Sequence, residues 1–230
     1  MGLLTSKDTD GNVDFSADFH FPMSNKALII FTRSPQLGKC KTRLAAAIGD
    51  EAALEVYKIL LNHTAKITEK VTADKFVFYA GTIAQHDVWN NEIFSKKLQI
   101  DGDLGVKMHH AFLELFELGY EKVVIVGSDL FDLTSREIDD AFTALTHNDT
   151  VIGPAEDGGY YLLGMKTLNT AIFENKDWGT ATVLQDTLKD LKAKSVLRLP
   201  AKNDIDHVED IMNIDVFQQF IPDKLFKRSK

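Results

Sequence analysis

Three stretches carry side chains whose type and spacing suit chemistry. In Lys122-Val-Val-Ile-Val-Gly-Ser-Asp129 an unbroken β-branched run stops abruptly in glycine, hydroxyl and carboxylate. Val123 to Val126 lack the alternation of a half-exposed strand, so they predict a strand buried on both faces, with Asp129 at its carboxyl end. Ligands of open α/β sheets gather in the crevice outside those ends, where a lone acid suits a metal or a ribose. Asp129 equally suits the start of a turn, Asp129-Leu-Phe-Asp132.

The second stretch is Thr32-Arg-Ser-Pro-Gln-Leu-Gly-Lys-Cys-Lys-Thr-Arg-Leu44, which puts Arg33, Lys39, Lys41 and Arg43 within eleven residues of an acidic protein. Pro35 and Gly38 shape a turn, backbone N–H groups and a helix N-terminus add dipole, and the cations supply charge, which makes a candidate phosphate loop. A solvated basic turn is the alternative, with Lys41 on an exposed loop. Cys40 follows Gly38-Lys39 where a Walker A loop needs Ser or Thr, and no Gly-x-Gly-x-x-Gly occurs, so the P-loop NTPase and Rossmann dehydrogenase readings lose ground.

The third is split in sequence. In Glu156-Asp-Gly-Gly-Tyr160, glycines between acids and an aromatic let backbone approach a ligand, or close a tight hairpin, or both. Asn203-Asp-Ile-Asp-His-Val-Glu-Asp-Ile211 brings acids up to a short helix. Mg²⁺ keeps several waters and takes one or two protein carboxylates plus substrate phosphates, so one acid from this segment joining Asp129 completes a plausible site.

The elements that must position these residues alternate. Ala27–Phe31 predicts a first buried strand, 50–70 an amphipathic helix with Leu54, Tyr57, Leu60, Leu61 and Ile67 on one face, and 75–80 a second strand. Residues 81–100 predict a loop and a short helix. A helix follows from Leu104 to Gly119, with His109 and His110 on or beside its polar face. After the central strand, Thr134-Ser-Arg-Glu137 is a capping box opening a helix to about Leu145, and Asp132 favours that helix's N-terminus. Strands at 149–155, 162–165 and 196–199 and a helix to about Lys194 complete one α/β domain with a mainly parallel sheet.

Composition narrows the function. Residues 1–25 are polar and acidic and predict an arm outside the fold, leaving a single domain over 26–230. No run approaches the roughly 20 apolar residues of a bilayer span, and the N-terminus has no signal-peptide apolar region, which predicts a cytoplasmic protein. Cys40 is the only cysteine, which excludes an intrachain disulfide and a Cys-rich zinc site. With 26 basic and 34 acidic residues the net charge is −8, which argues against nucleic acid as a partner. Oligomeric state leaves no signature.

Taken together, the Phe31–Leu44 stretch, Gly102-Asp-Leu-Gly-x-x-Met108, Gly127-Ser-Asp-x-x-Asp-Leu-Thr134, Gly153-Pro-Ala-Glu-Asp-Gly-Gly-Tyr-Tyr161, Trp178-x-Thr180 and Asp204-Ile-Asp-x-x-Glu-Asp210 resemble a known family. It is the bacterial DUF2064 group of GT-A-fold transferases, labelled arsenosugar-biosynthesis or radical-SAM-associated glycosyltransferases. The group is similar to the guanylyltransferases of molybdenum-cofactor and coenzyme F420 synthesis, and the likeness runs from about 26 to 212.

The resemblance implies a GT-A-like three-layer sandwich, the fold of nucleotide-diphospho-sugar transferases. It implies that Arg33, Gly38, Lys39, Lys41 and Arg43 bind nucleotide phosphates, and that Asp129, with Asp206, holds Mg²⁺ or Mn²⁺. Asp103, Gly158, Gly159, Tyr160 and Trp178 would line the substrate, and Glu156 or Asp157 would be the catalytic base. Many relatives carry Cys-Pro or Cys-Tyr where this chain has Leu130-Phe131. The expected activity is metal-dependent glycosyl transfer from a nucleotide sugar to a small-molecule acceptor. Nucleotidyl transfer from an NTP to a phosphorylated small molecule is the alternative, and a non-catalytic nucleotide-binding protein a third.

Overall fold

In this computed structural model, residues 6–7, 13–14, 22–84 and 86–226 are described. Most of the predicted N-terminal arm therefore lies outside the described residues. Within it, β1 (Ser6–Lys7) and β2 (Val13–Asp14) form a two-stranded antiparallel ladder separate from the main sheet.

The main chain alternates from Lys26 onward: β3 (Lys26–Arg33), α1 (Thr42–Ile48), α2 (Asp50–Glu69), β4 (Asp74–Ala80), β5 (Phe94–Leu98), α3 (Leu104–Glu117) and β6 (Lys122–Val126). Then follow α4 (Ser135–Ala144), β7 (Thr150–Pro154), β8 (Tyr160–Met165), a 3₁₀ turn at Thr170–Phe173, α5 (Val183–Asp190), β9 (Val196–Arg198) and three short helices, α6 (Val208–Ile211), α7 (Asp215–Gln218) and α8 (Asp223–Phe226).

The seven strands lie in the order β5-β4-β3-β6-β8-β7-β9. β3 pairs in parallel with β4 and β6, β4 with β5, and β7 with β9, while β8 runs antiparallel to both β6 and β7. This is the mainly parallel α/β sheet the sequence predicts.

Alternate residues of the central strands enter different cores, which is why these strands show no polar face. Leu28, Ile30, Val124 and Val126 pack with Tyr57 and Leu61 of α2 and Ile138 and Phe142 of α4. Ala27, Ile29, Val123 and Ile125 pack on the other side with Met108, Phe112 and Leu115 of α3. Two helical layers thus enclose the sheet, and each fully buried Val, Ile or Phe adds roughly 1.5–3 kcal/mol. A third cluster, with Leu44, Val56, Leu60, Ile205, Ile211 and Phe217, fastens α1 and the C-terminal helices to α2.

The capping box is present: Thr134 Oγ1 accepts from the Glu137 N–H and Glu137 Oε2 accepts from the Thr134 N–H. Residues 81–100 differ from expectation, because 94–98 form an edge strand where a short helix is predicted. Phe94 is buried against Trp89, whereas Ser95 and Lys97 carry the polar character of an exposed edge and hide the strand pattern. Lys97 pairs with Glu114 of α3 at 2.6 Å.

Candidate active site

Ile30 of β3 pairs with Val126 of β6. Beyond that register Thr32 and Arg33 lead out of one strand, and Ser128 and Asp129 out of its neighbour, at the same carboxyl edge. The chain after Arg33 then folds back on itself. The Lys39 N–H donates to the Gln36 carbonyl at 3.1 Å, Gly38 takes φ +71°, and Arg33 Nη1 donates to the Lys39 carbonyl at 3.3 Å. Cys40 is buried and its sulfur accepts from the Gln36 N–H at 3.5 Å.

Lys41 follows in the left-handed region at φ +50°. That conformation costs a non-glycine residue about 1–2 kcal/mol, so something must hold it. Its ammonium lies 3.0 Å from Asp129 Oδ1 and 2.9 Å from Asp206 Oδ1, and its side chain is only 5% exposed. Lys41 is therefore no solvated loop residue, which corrects the expectation of an exposed cation. Arg43, at 65% exposure, reaches Asp206 Oδ2 at 3.7 Å.

The late acids arrive on a segment clamped at several points. The Lys202 N–H donates to the Pro154 carbonyl at 3.1 Å, and the Glu156 N–H donates to the Lys202 carbonyl at 3.0 Å. Lys202 Nζ donates to the Asp132 carbonyl and Oδ2 and pairs with Glu137 Oε1, so Asp132 works as an anchor for this segment beside the α4 terminus. The Ile205 N–H donates to the Asp129 carbonyl at 3.1 Å. Asp210 gathers the far end: its Oδ2 accepts from the Asp206 and His207 N–H groups and its Oδ1 from Asn203 Nδ2. Ile205 is buried between Asp204 and Asp206 and fixes both.

Charge follows from this geometry. Burial pushes Asp206 up, but Lys41 together with Arg43 and His207 outweighs it and holds the carboxyl below its ordinary value. Burial likewise lowers Lys41, and Asp129 and Asp206 together more than reverse that. Asp204 goes the other way, up to about 7, because burial comes first and the charges of Asp129, Asp157 and Asp206 add to it against Lys41. Its Oδ1 is buried without a hydrogen-bond partner among the described residues.

A cleft of about 620 Å³ opens at this edge. Of the predicted residues it is lined by Arg33, Lys41, Arg43, Asp129, Tyr160 and Asp206. Gly38 and Lys39 are exposed and outside the lining. Asp103 is outside as well and caps α3, its Oδ1 accepting the Val106 N–H at 2.9 Å. Glu156 and Asp157 are exposed and do not line the cleft, although the charge of Asp157 reaches Asp204. Asp157 Oδ1 accepts the Gly159 N–H at 2.9 Å.

Gly158 has φ +91°, and a side chain there would collide with the Ala181 backbone. The close approach that this glycine permits is therefore taken by the chain itself. Trp178 stands behind Tyr160, edge to face at 6.5 Å, and packs on Gly105.

Sequence reasoning took Asp206 over Asp204 from the late acidic segment and missed Lys107, Tyr57 and Gln99; all four of Asp204, Lys107, Tyr57 and Gln99 also line the cleft. Asp204 had a signal: with one apolar residue between them, Asp204 and Asp206 fall on the same side of an extended segment. Tyr57 reads as core, yet its hydroxyl donates to the Arg33 carbonyl at 3.1 Å.

Among the described residues no group of three or more His, Cys, Asp or Glu side chains is arranged to hold a metal alone. Asp129 and Asp206 nevertheless converge on one cation, and two carboxylates completed by substrate phosphates suit Mg²⁺ or Mn²⁺. The residues present therefore fit such an ion. No helix among the described residues is long and apolar enough to cross a membrane.

Comparison with known proteins agrees with this fold. A structure from Desulfovibrio desulfuricans G20, described as a candidate nucleotide-diphospho-sugar transferase, is 28% identical, covers 87% of this chain and 100% of its own, and superposes with a TM-score of 0.77. 4-diphosphocytidyl-2C-methyl-D-erythritolsynthase from Anaerococcus prevotii DSM 20548 is 12% identical over 84% of this chain and 96% of its own, at 0.55. The manganese complex of Rv0371c from Mycobacterium tuberculosis H37Rv is 11% identical over 83% and 98%, at 0.52. The last two share the fold alone. No curated protein matches the chain by sequence. The fold is that of the nucleotide-diphospho-sugar transferases, and a family model matches residues 63–180, over half the chain: it belongs to DUF2064, a family described as an uncharacterized protein conserved in bacteria.

Proposed function

We propose that this protein is a metal-dependent glycosyltransferase whose donor is a nucleotide-diphosphate sugar. The observation that supports this reading is Lys41 held between Asp129 and Asp206 in a cleft that Arg33 and Arg43 also line. A cleft with this much fixed positive charge beside two carboxylates suits a diphosphate and its cation.

Arg33, Lys41 and Arg43 would hold the diphosphate. Asp129 and Asp206 would hold Mg²⁺ or Mn²⁺, which when bound supplies positive charge against the departing nucleoside diphosphate. Lys39, beside Gly38 on the same loop, would reach the phosphates only from outside the cleft's lining. On the acceptor side, Tyr160 and Leu104 give the cleft an apolar wall, with Trp178 bracing Tyr160.

The acceptor oxygen would form a bond to the anomeric carbon as that carbon's bond to the diphosphate oxygen breaks, the nucleoside diphosphate would leave with the electron pair, and the hydroxyl proton would pass to the Asp204 carboxylate. Asp204 lines the cleft, which makes it better placed to take that proton than the exposed Glu156 and Asp157, which lie outside the lining. Asp103, Gly158 and Gly159 shape the surrounding loops.

The test is a thermal-shift panel of nucleoside mono-, di- and triphosphates and nucleotide sugars, with and without Mn²⁺ or Mg²⁺, followed by assay of the stabilising sugar conjugate for nucleoside diphosphate release. Metal-dependent stabilisation by one NDP and its sugar conjugate is expected. Stabilisation by one NTP, with pyrophosphate released in turnover, would replace glycosyl with nucleotidyl transfer. Silence across the panel would remove nucleotides from the reading altogether.

A further inference from the structure

A divalent ion and the Lys41 ammonium compete for the same oxygens. One nitrogen lies 3.0 Å from Asp129 Oδ1 and 2.9 Å from Asp206 Oδ1, inside a side chain that is 5% exposed. Mg²⁺ binds oxygen at about 2.0–2.1 Å, and it cannot share the point between two carboxylates with an ammonium. Arg43 adds a second cation 3.7 Å from Asp206 Oδ2. Asp129 and Asp206 are thus already matched by the formal charges of Lys41 and Arg43, and an added divalent ion would leave these four groups with an excess of two. Nucleotide phosphates supply the missing negative charge, and they also give Lys41 somewhere to go.

The backbone at Lys41 is committed to φ +50°, and Leu44 three residues on is buried against α2. Movement therefore falls to the four rotatable bonds of the lysine side chain.

We propose that Lys41 is the site's resident cation: it holds Asp129 and Asp206 together until a nucleotide arrives, so the divalent ion enters with the phosphates and not alone. The substrate is then the metal–nucleotide complex, and Lys41 passes from the two carboxylates to the phosphates as that complex binds. This rests on the reading of Asp129 and Asp206 as the metal-holding acids.

The experiment is calorimetric titration of Mn²⁺ into the full chain, alone and with the nucleoside diphosphate picked out by the thermal-shift panel, for the wild type, Lys41→Met, Lys41→Gln and Asp129→Asn. Circular dichroism first establishes which variants are folded. Wild type should bind Mn²⁺ alone at least about tenfold more weakly than with nucleotide. A folded Lys41→Met or Lys41→Gln should bind Mn²⁺ alone at least about tenfold more tightly than wild type and show less gain from nucleotide.

If both lysine variants bind Mn²⁺ alone no better than wild type while Asp129→Asn loses it, the resident-cation role is wrong and the metal site stands. Should neither lysine variant fold, equal Mn²⁺ affinity of wild type with and without nucleotide overturns the role. If Asp129→Asn takes up Mn²⁺ with nucleotide as wild type does, the metal site itself is misassigned, and the role of Lys41 falls with it.

Discussion

The Ile205 N–H donates to the carbonyl of Asp129 at 3.1 Å. That single bond joins the end of the central strand to a segment far along the chain, and it sets Asp204 and Asp206 beside Asp129. The site depends on this seam as much as on any one carboxylate.

Asp129→Asn should abolish metal-dependent nucleotide binding. Removing an outer-shell partner typically costs roughly 10–100-fold in metal affinity, and loss of a ligand should cost at least as much. The readout is the Mn²⁺-dependent part of the nucleotide thermal shift. A variant that keeps the full shift would take Asp129 out of the site.

Asp210→Ala should weaken the site without touching the cleft. Its carboxylate accepts from the Asp206 and His207 N–H groups at 2.9 and 2.6 Å and from Asn203 Nδ2 at 2.6 Å. Losing such a cap costs about 0.5–2 kcal/mol. Urea unfolding should report that loss, and titration of Mn²⁺ with nucleotide should show weaker binding because Asp206 is no longer fixed. Unchanged binding at reduced stability would confine Asp210 to a structural role.

Acid should loosen the anchor of the late segment through Glu137. Burial pushes this carboxyl up, but hydrogen bonds from Thr134 and Lys202 pull it further down, so its folded pKa lies below the unfolded one. Its contribution is therefore present above the ordinary carboxylate range, near 4.3, and is lost as pH falls through the depressed folded value. Glu137→Gln should be less stable than wild type at neutral pH, and the gap should narrow as pH drops below about 4. Thermal unfolding of both proteins across pH 3–7 would show it, and a constant gap would mean that Glu137 acts by shape alone.

Gly105→Ala should be destabilising by about 1–3 kcal/mol, the usual cost of overpacking. A β-carbon there would collide with the Phe173 carbonyl and lie 2.6 Å from Trp178 Nε1. Because Trp178 backs Tyr160, its fluorescence should shift along with the unfolding midpoint. Wild-type stability and an unshifted spectrum would show that the helix and the tryptophan can part without cost.

Much of this was written in the sequence. Two-sided burial of Val123–Val126 shows as a β-branched run with no polar alternation, and the stop at Gly127-Ser-Asp129 marks that strand's carboxyl end, where the same residues suit a turn as well as a ligand. The capping box at Thr134 and Glu137 is a local pattern and survives folding intact. The cations Arg33, Lys41 and Arg43 also stand out locally, being close together in an acidic chain.

Tertiary structure decided the rest, because it brings together residues that sequence separates. Lys41 reads as a loop cation until Asp129 and Asp206 close over it, and only the fold could show that it is buried. Asp204 becomes a cleft residue through the packing of Ile205 and the reach of Lys202 to Asp132 and Glu137. Gly158 through its place between acids and an aromatic, and Asp103 through the family resemblance, are expected beside the substrate, yet the fold gives them to Ala181 and to the first turn of α3. Local propensity and patterning place strands and helices, since they depend on near neighbours; which acid meets which cation is set by long-range closure, and no window of sequence contains it.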